Sequence, residues 1–239
     1  MSDWKPLAGR VSLLAATNEA LTPAPEAFRR VWGQPAELTE QSTHPRAPVI
    51  ARGRKGGLSL ACTTQPGRID FDFKASPSDD APRTALERIE DVREYGRYLD
   101  EVFLAARDPG LVTTASRVDL YTGFVLVCRD VPAANREIMQ VIREGYRPTL
   151  DAEEAFVLQV TNKFPSGRVG GIQLNLLVRW SVEAPEGPVE FTTASVFFDI
   201  STAPSERTFN AEEQYLLLDE LRQLTSRAQR TLNLNIDGL

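Results

Sequence analysis

Polar and apolar positions alternate most cleanly over residues 68–74. There Ile69, Phe71 and Phe73 point to one side and Arg68, Asp70, Asp72 and Lys74 to the other. A period of two is the mark of a half-buried strand. Shorter runs at Val49–Ala51 and Leu58–Thr64 precede it, with Gly56-Gly57 and Pro66-Gly67 as the intervening turns, so the three read as an antiparallel meander. Upstream, residues 10–16 (RVSLLAA) predict a strand. They are followed by a helix start at Thr22-Pro23-Ala24-Pro25-Glu26, with Thr22 as N-cap. Ala27, Phe28, Val31 and Trp32 give this helix an apolar face, and Gly33 stops it. Residues 34–48 read as a polar loop. Leu86, Ile89, Val92, Gly96, Leu99, Phe103 and Ala106 recur at three- and four-residue steps, predicting a long amphipathic helix over about 83–107.

The second half repeats this order. Residues 117–128 (RVDLYTGFVLVC) predict a long strand, irregular at Gly123. Asp130-Val131-Pro132 opens a helix carrying Ala134, Ile138, Val141 and Ile142, closed by Gly145. Three strands are expected within 155–161, 171–182 and 190–200. A final helix runs from Asn210 to about Thr231, with Asn210 and Glu213 placed as a capping box. The expected fold is therefore α+β: two similar β-α-β-β-β-α halves in tandem, 1–113 and 114–239, with antiparallel sheets covered on one side by helices. One continuous larger domain is the other reading of the same order. Val11 aligns with Val118, and the matching rests on element order rather than on residue identity.

Composition narrows the chemistry. The 239 residues carry 27 Lys and Arg against 33 Asp and Glu, a net charge of −6, which argues against nucleic acid as a partner. Nearly all the positive charge is Arg; Lys occurs only at positions 5, 55, 74 and 163, so ion pairs with carboxylates are expected on the surface. Cys62 and Cys128 stand far apart in apolar runs and read as buried thiols. No run approaches about 18 apolar residues and no apolar leader is visible, so no membrane association and a cytoplasmic location are expected. The single histidine, His44, sits in the 34–48 loop without a second His or Cys nearby. His-x-x-His, Cys-x-x-Cys, Gly-x-Ser-x-Gly and Walker-type patterns do not occur. No catalytic residue, metal site or cofactor is assigned from the sequence.

Two constellations remain. Asp70 and Asp72 share a strand face, a spacing that suits a divalent cation, but Arg68 and Lys74 interleave with them and favour an ion-paired face. Ala51–Gly57 and Pro165–Gly171 are Gly-rich basic turns in corresponding places of the two halves. Arg52, Arg54, Lys55 and Arg168 are the candidate anion-binding residues, against a reading as exposed hairpin tips. Trp180, following Arg179, is the aromatic whose exposure would matter most.

The N-terminal strand–helix, the Gln65–Phe73 strand, the Tyr-bearing central helix, Phe156-Val157-Leu158-Gln159 and Phe198-Asp199-Ile200 ahead of a Leu-rich helix together resemble a sporadically distributed prokaryotic family of uncharacterised proteins. The resemblance spans most of the chain and implies no catalytic residues. It implies an accessory role of the kind carried by mobile elements or defence systems. The functional expectation is a non-enzymatic binding or interaction protein whose partner is another protein or a second copy of the chain; the alternative is an enzyme or sensor that takes a phosphorylated small ligand on the Arg/Gly turns.

Overall fold

A computed structural model describes residues 4–16, 21–41, 43–44, 47–76, 88–108, 110–148, 154–185 and 191–231. Its elements follow in the order β1 (Lys5–Ala15), α1 (Ala24–Trp32), β2 (Leu38–Gln41), β3 (Val49–Lys55), β4 (Leu58–Gln65), β5 (Arg68–Ala75), α2 (Val92–Ala105), β6 (Ala115–Cys128), α3 (Val131–Val141), β7 (Val157–Pro165), β8 (Gln173–Glu183), β9 (Thr192–Thr202) and α4 (Ala211–Thr231). A single 3-10 turn, Glu144–Tyr146, follows α3. The nine strands form one antiparallel sheet in the order β2-β3-β4-β5-β1-β6-β9-β8-β7, so the fold is mixed α+β. Among the described residues no helix is long and apolar enough to cross a membrane.

The period-two pattern decides which residues enter the core. Val11 and Leu13 of β1 stand between Phe71 and Ile69 of β5 and Leu120 and Val118 of β6, and all six are fully buried or nearly so. The same face continues through Leu58, Leu60 and Cys62 of β4 and through Val196, Phe198 and Ile200 of β9. Apolar residues of α1, α2 and α4 complete one cluster with these strands, and α3 completes a second with Phe124, Trp180, Val196 and Phe198. The first cluster takes Leu174, Ile200, Leu217 and Leu221 from beyond residue 114 together with Phe71 and Tyr95, so it is continuous across the middle of the chain.

Two glycines set close approaches. The Phe73 ring lies directly over Gly9, its cross-strand partner on β1, where a Cβ would collide with it. Phe28 of α1 covers Gly53 of β3, where a Cβ would meet the ring at 2.8 Å.

Several boundaries differ from the sequence reading. Thr22 is not the N-cap: Pro23 occupies that place and the Thr22 hydroxyl donates to the carbonyl of Gly110. Gly33 does close α1 in the left-handed conformation (φ 70°), its N–H donating to the Arg29 carbonyl. The predicted helix over 83–107 begins only at Val92, because Asp91 accepts from the N–H groups of Arg93 and Glu94 as N-cap, while the Ile89 N–H is drawn to the Pro6 carbonyl of β1. Residues 81–87 lie outside the described residues. Gly145 falls in the 3-10 turn beyond α3, which ends at Val141 with Ile142 as its C-cap. The Asn210–Glu213 capping box forms in both directions, and Gly123 marks the irregularity in β6, where the β1 register shifts between Pro6 and Ala8.

Candidate functional site: a charged face of the central sheet

Residues alternating with the core positions of β5, β1, β6, β9 and β8 make the opposite face of the sheet. Register fixes their neighbours. Asp72, Arg10, Tyr121 and Asp199 form one row across β5, β1, β6 and β9; Asp70, Ser12, Asp119 and Ser201 form the next. At about 4.8 Å per strand each row spans roughly 14 Å. Arg68 and Arg117 flank Leu14 one step further on. Because β5 and β6 are both antiparallel to β1, the two Arg-x-Asp segments, Arg68-Ile69-Asp70 and Arg117-Val118-Asp119, run side by side in the same direction on either side of Ser12.

The side chains are joined within and across strands. The Arg68 Nε donates to Asp70 at 2.8 Å and one of its terminal nitrogens to Ser12 Oγ at 3.3 Å. Arg117 Nε donates to Asp119 at 2.7 Å, and Arg10 Nε to Asp72. Asp70 is 7% exposed and Ser12 1%, whereas the side chains of Arg68, Arg117 and Arg10 are 33%, 36% and 48% exposed, so the network has a buried floor and open guanidinium ends. Tyr121 and Phe197 stack with centroids 5.7 Å apart and planes 18° from parallel. The stack is possible because Phe197 faces Gly123, where a Cβ would meet the ring at 2.8 Å.

Burial pushes the carboxyls of Asp72, Asp119 and Asp199 above the usual carboxylate range, against the lowering effect of Arg10 on Asp72, of Arg117 on Asp119, and of Arg117, Arg10 and Arg68 on Asp199. It pushes the Tyr121 phenol up as well. Asp199 makes no hydrogen bond or ion pair with the described residues, and Arg179 Nε, Asn175 Oδ1 and Ser181 Oγ on β8 are buried without a hydrogen-bond partner among them. Each guanidinium carries five donors, of which the pairs above use one or two. The face therefore offers unused donors and acceptors together, and it holds charges of both signs.

A raised carboxyl pKa has a defined effect on stability. The folded state then binds the proton more tightly than the unfolded chain, so stability is greatest at low pH and falls as pH rises from the unfolded to the folded pKa. Asp199→Asn removes the burial cost of this charge. The variant is expected to be more stable than the parent at pH 7 by up to about 1 kcal/mol after solvent screening, with the difference closing toward pH 4. Urea unfolding at both pH values measures this, and a variant less stable at pH 7 would contradict it.

The four residues singled out for anion binding lie elsewhere and apart. Arg52, Arg54 and Lys55 belong to β3 itself rather than to a turn; only Gly56-Gly57 turns, with Gly56 at φ 59°. Arg52 pairs with Glu40 of β2 at 3.0 Å. The Arg54 backbone N–H donates to Glu37 at 2.9 Å, and the Lys55 ammonium lies 3.3 Å from Glu101 and over the Tyr98 ring. Arg168 stands in the β7–β8 connection, 3.6 Å from Asp219 and donating to Gln223 of α4. Six strands separate β3 from β7 in the sheet. Arg168 does line a groove of about 740 Å³ against α4 that also receives Arg222, Arg227 and Arg230 with Asp219 and Glu220. Cys62 and Cys128 are buried and unbonded to each other, Trp180 is 3% exposed, and His44 is exposed. Among the described residues no group of three or more His, Cys, Asp or Glu side chains is placed to hold a metal ion.

Sequence reasoning read Asp70 and Asp72 as an ion-paired face, which is how they stand, but missed Asp119, Asp199, Arg10, Arg117 and Arg179 as their company. The recurring Arg-x-Asp on two strands was the available signal. No family model matches the chain, and no curated protein or solved structure matches it either.

Proposed function

We propose that the chain is a non-enzymatic binding protein of accessory type that recognises a protein partner across the charged face of its central sheet. One observation carries the reading: the face sets Arg10, Arg68, Arg117 and Arg179 against Asp70, Asp72, Asp119 and Asp199 around the Tyr121–Phe197 stack, with donors and acceptors left over on β8 and β9. A polyanion such as nucleic acid would meet four carboxylates there. A folded protein surface brings charges of both signs and aromatic or carbonyl groups, which is what such a face can match. The resemblance to a sporadically distributed prokaryotic family supports the accessory role.

The architecture behind this face is best understood as two tandem halves, 1–113 and 114–239, meeting at the β1–β6 seam, with helices on one side of the sheet. Read outward from the seam, the order is β1-β5-β4-β3 on one flank and β6-β9-β8-β7 on the other. Arg10-Val11-Ser12-Leu13 and Arg117-Val118-Asp119-Leu120 begin the two halves on adjacent strands, and the Gly-rich connections β3–β4 and β7–β8 take corresponding places. Among the described residues β2 has no counterpart in the second half. On this reading the charged face straddles the join and is completed by both halves.

The test is capture of a partner from the protein's own host, read by mass spectrometry, with the parent chain and with Arg179→Glu/Asp199→Arg as baits. The variant should lose the partner while keeping its circular dichroism and thermal midpoint. Retention of the same partner would sink the reading. A second reading, a phosphorylated small ligand, is favoured by the arginines of the Arg168 groove. It would show in the same experiment as a bound phosphate ester in native mass spectra that Arg168→Ala abolishes and the face variant leaves in place.

A further inference from the structure

The two edges of the sheet are built differently. At one end β3 is covered by β2, four exposed residues long, and Arg52–Glu40 ties the two strands together. Short charged edges of this kind resist further pairing. At the other end β7 runs for nine residues and, among the described residues, pairs only with β8. Val157 at its start is 59% exposed.

The β7 sequence, Val157-Leu158-Gln159-Val160-Thr161-Asn162-Lys163-Phe164-Pro165, is complementary to itself when a second copy is laid antiparallel about Thr161. On the core-facing side Leu158 then meets the partner subunit's Phe164 at both ends, and Val160 meets the partner subunit's Asn162. On the opposite side Gln159 meets the partner subunit's Lys163 and Thr161 meets its own copy on the axis. Like charges are not opposed: the two Lys163 side chains are four residues apart along the ladder, about 14 Å. Other registers lose this match, since a shift of two residues toward the C-terminus brings Lys163 opposite itself and the apolar ends out of contact.

A second feature adjoins the same edge. An apolar groove of about 230 Å³ adjoins β7, lined by Val160, Phe164, Leu176, Val178 and Trp180 together with Tyr146, which is 41% exposed. Pairing at the edge would extend the Val160–Phe164 wall of this groove with the partner subunit's Leu158 and so bury apolar surface that the β7 edge alone leaves open. The contact would be about 30 Å long and roughly 1,000 Å² in total, near the lower limit for specific association.

We infer that a second copy of this chain pairs antiparallel along β7, centred on Thr161, to make one continuous sheet across a two-fold axis. This surface is separate from the charged face, and either can fail without the other.

Sedimentation velocity of the full chain from about 1 to 200 µM tests it, with dissociation constants expected in the range of about 1–50 µM for a contact of this size. Thr161 is exposed, so its replacement leaves the protomer fold intact by circular dichroism. Thr161→Lys and Thr161→Glu should each sediment as monomers, their dissociation constants raised tenfold or more, because like charges then face each other on the axis. An equimolar mixture of the two should restore the dimer. Thr161→Cys should form an intersubunit disulfide under mild oxidation, and Gln159→Cys should not, since its neighbour across the axis is Lys163. The Arg179→Glu/Asp199→Arg variant should still dimerise. A parent chain that stays monomeric at 200 µM, a Thr161→Lys variant that remains dimeric, or a mixture that fails to associate would each overturn the inference.

Discussion

Phe73→Ala is expected to cost about 3–5 kcal/mol, the range for truncating a large aromatic side chain in a closed core. Phe73 is fully buried, lies over Gly9 of β1 and packs against the Tyr95 ring of α2 at 5.2 Å between centroids. For a chain of this length the thermal midpoint should fall by roughly 6–20 °C. The glycine beneath the ring adds a second, coupled expectation. Gly9→Ala alone should cost about 1–3 kcal/mol, because the new Cβ drives the ring off its seat. Made in the Phe73→Ala background, the same change should cost much less, since the space is already empty. Chemical denaturation of the four proteins gives the coupling directly, and strictly additive costs would show that the ring and the glycine do not meet as described.

Arg10→Met should be the second large effect. It leaves the partly buried Asp72 on the charged face with its guanidinium partner gone. Removing one member of a fully buried pair costs several kcal/mol; with the Asp72 side chain 30% and Arg10 48% exposed, about 1–3 kcal/mol is expected at pH 7. The sign with pH is fixed. The Asp72 carboxyl already sits above the usual range through burial, and losing Arg10 raises it further. The folded variant then binds a proton over a wider window above the unfolded pKa, so its deficit grows as pH rises through that window and shrinks toward pH 4. A deficit that is constant with pH would mean that packing of the arginine stem, not charge, is what was lost. Asp72→Asn in the Arg10→Met background should recover much of the loss at pH 7.

The legible parts of this fold are those where one side of an element is wet and the other dry. Ile69, Phe71 and Phe73 alternate with Arg68, Asp70 and Asp72 because β5 carries a core on one face and ions on the other, so its span and its pairing partners could be read directly. The α4 cap was legible because Asn210 and Glu213 form a local reciprocal bond that needs no tertiary context. What failed to show lacks that contrast. All four residues of β2 are exposed, so no alternation betrays it, and it exists because β3 offers an unpaired edge. Lys5-Pro6-Leu7 extends β1 through pairing with Phe124 and Val125, more than a hundred residues away. The periodic Leu86 and Ile89 suggested an earlier start for α2, but Asp91 captures the helix N-terminus. Arg52 and Arg54 were assigned to a turn on the strength of nearby glycines, although their own alternation with Ala51 and Gly53 is that of a strand. The charged face was the least legible feature. Its members come from five strands whose adjacency depends on the seam, and each Arg-x-Asp taken singly looks like an ordinary solvated strand.

The place of β1 in the middle of the sheet bears on the order in which the chain acquires its structure. Residues 8–14 pair on one side with 68–74, and residues 5–15 pair on the other with 115–125. During synthesis the first partner emerges some fifty residues after β1, and the second only after nearly half the chain has been made. Until then β1 is a free edge, with Val11 and Leu13 half covered. Pairings of such sequence separation are slow to close because the loop must be ordered before any contact repays it. Folding on a timescale of milliseconds to seconds is the expected consequence, with the interval between the emergence of β5 and that of β6 as the stage most exposed to wrong partners.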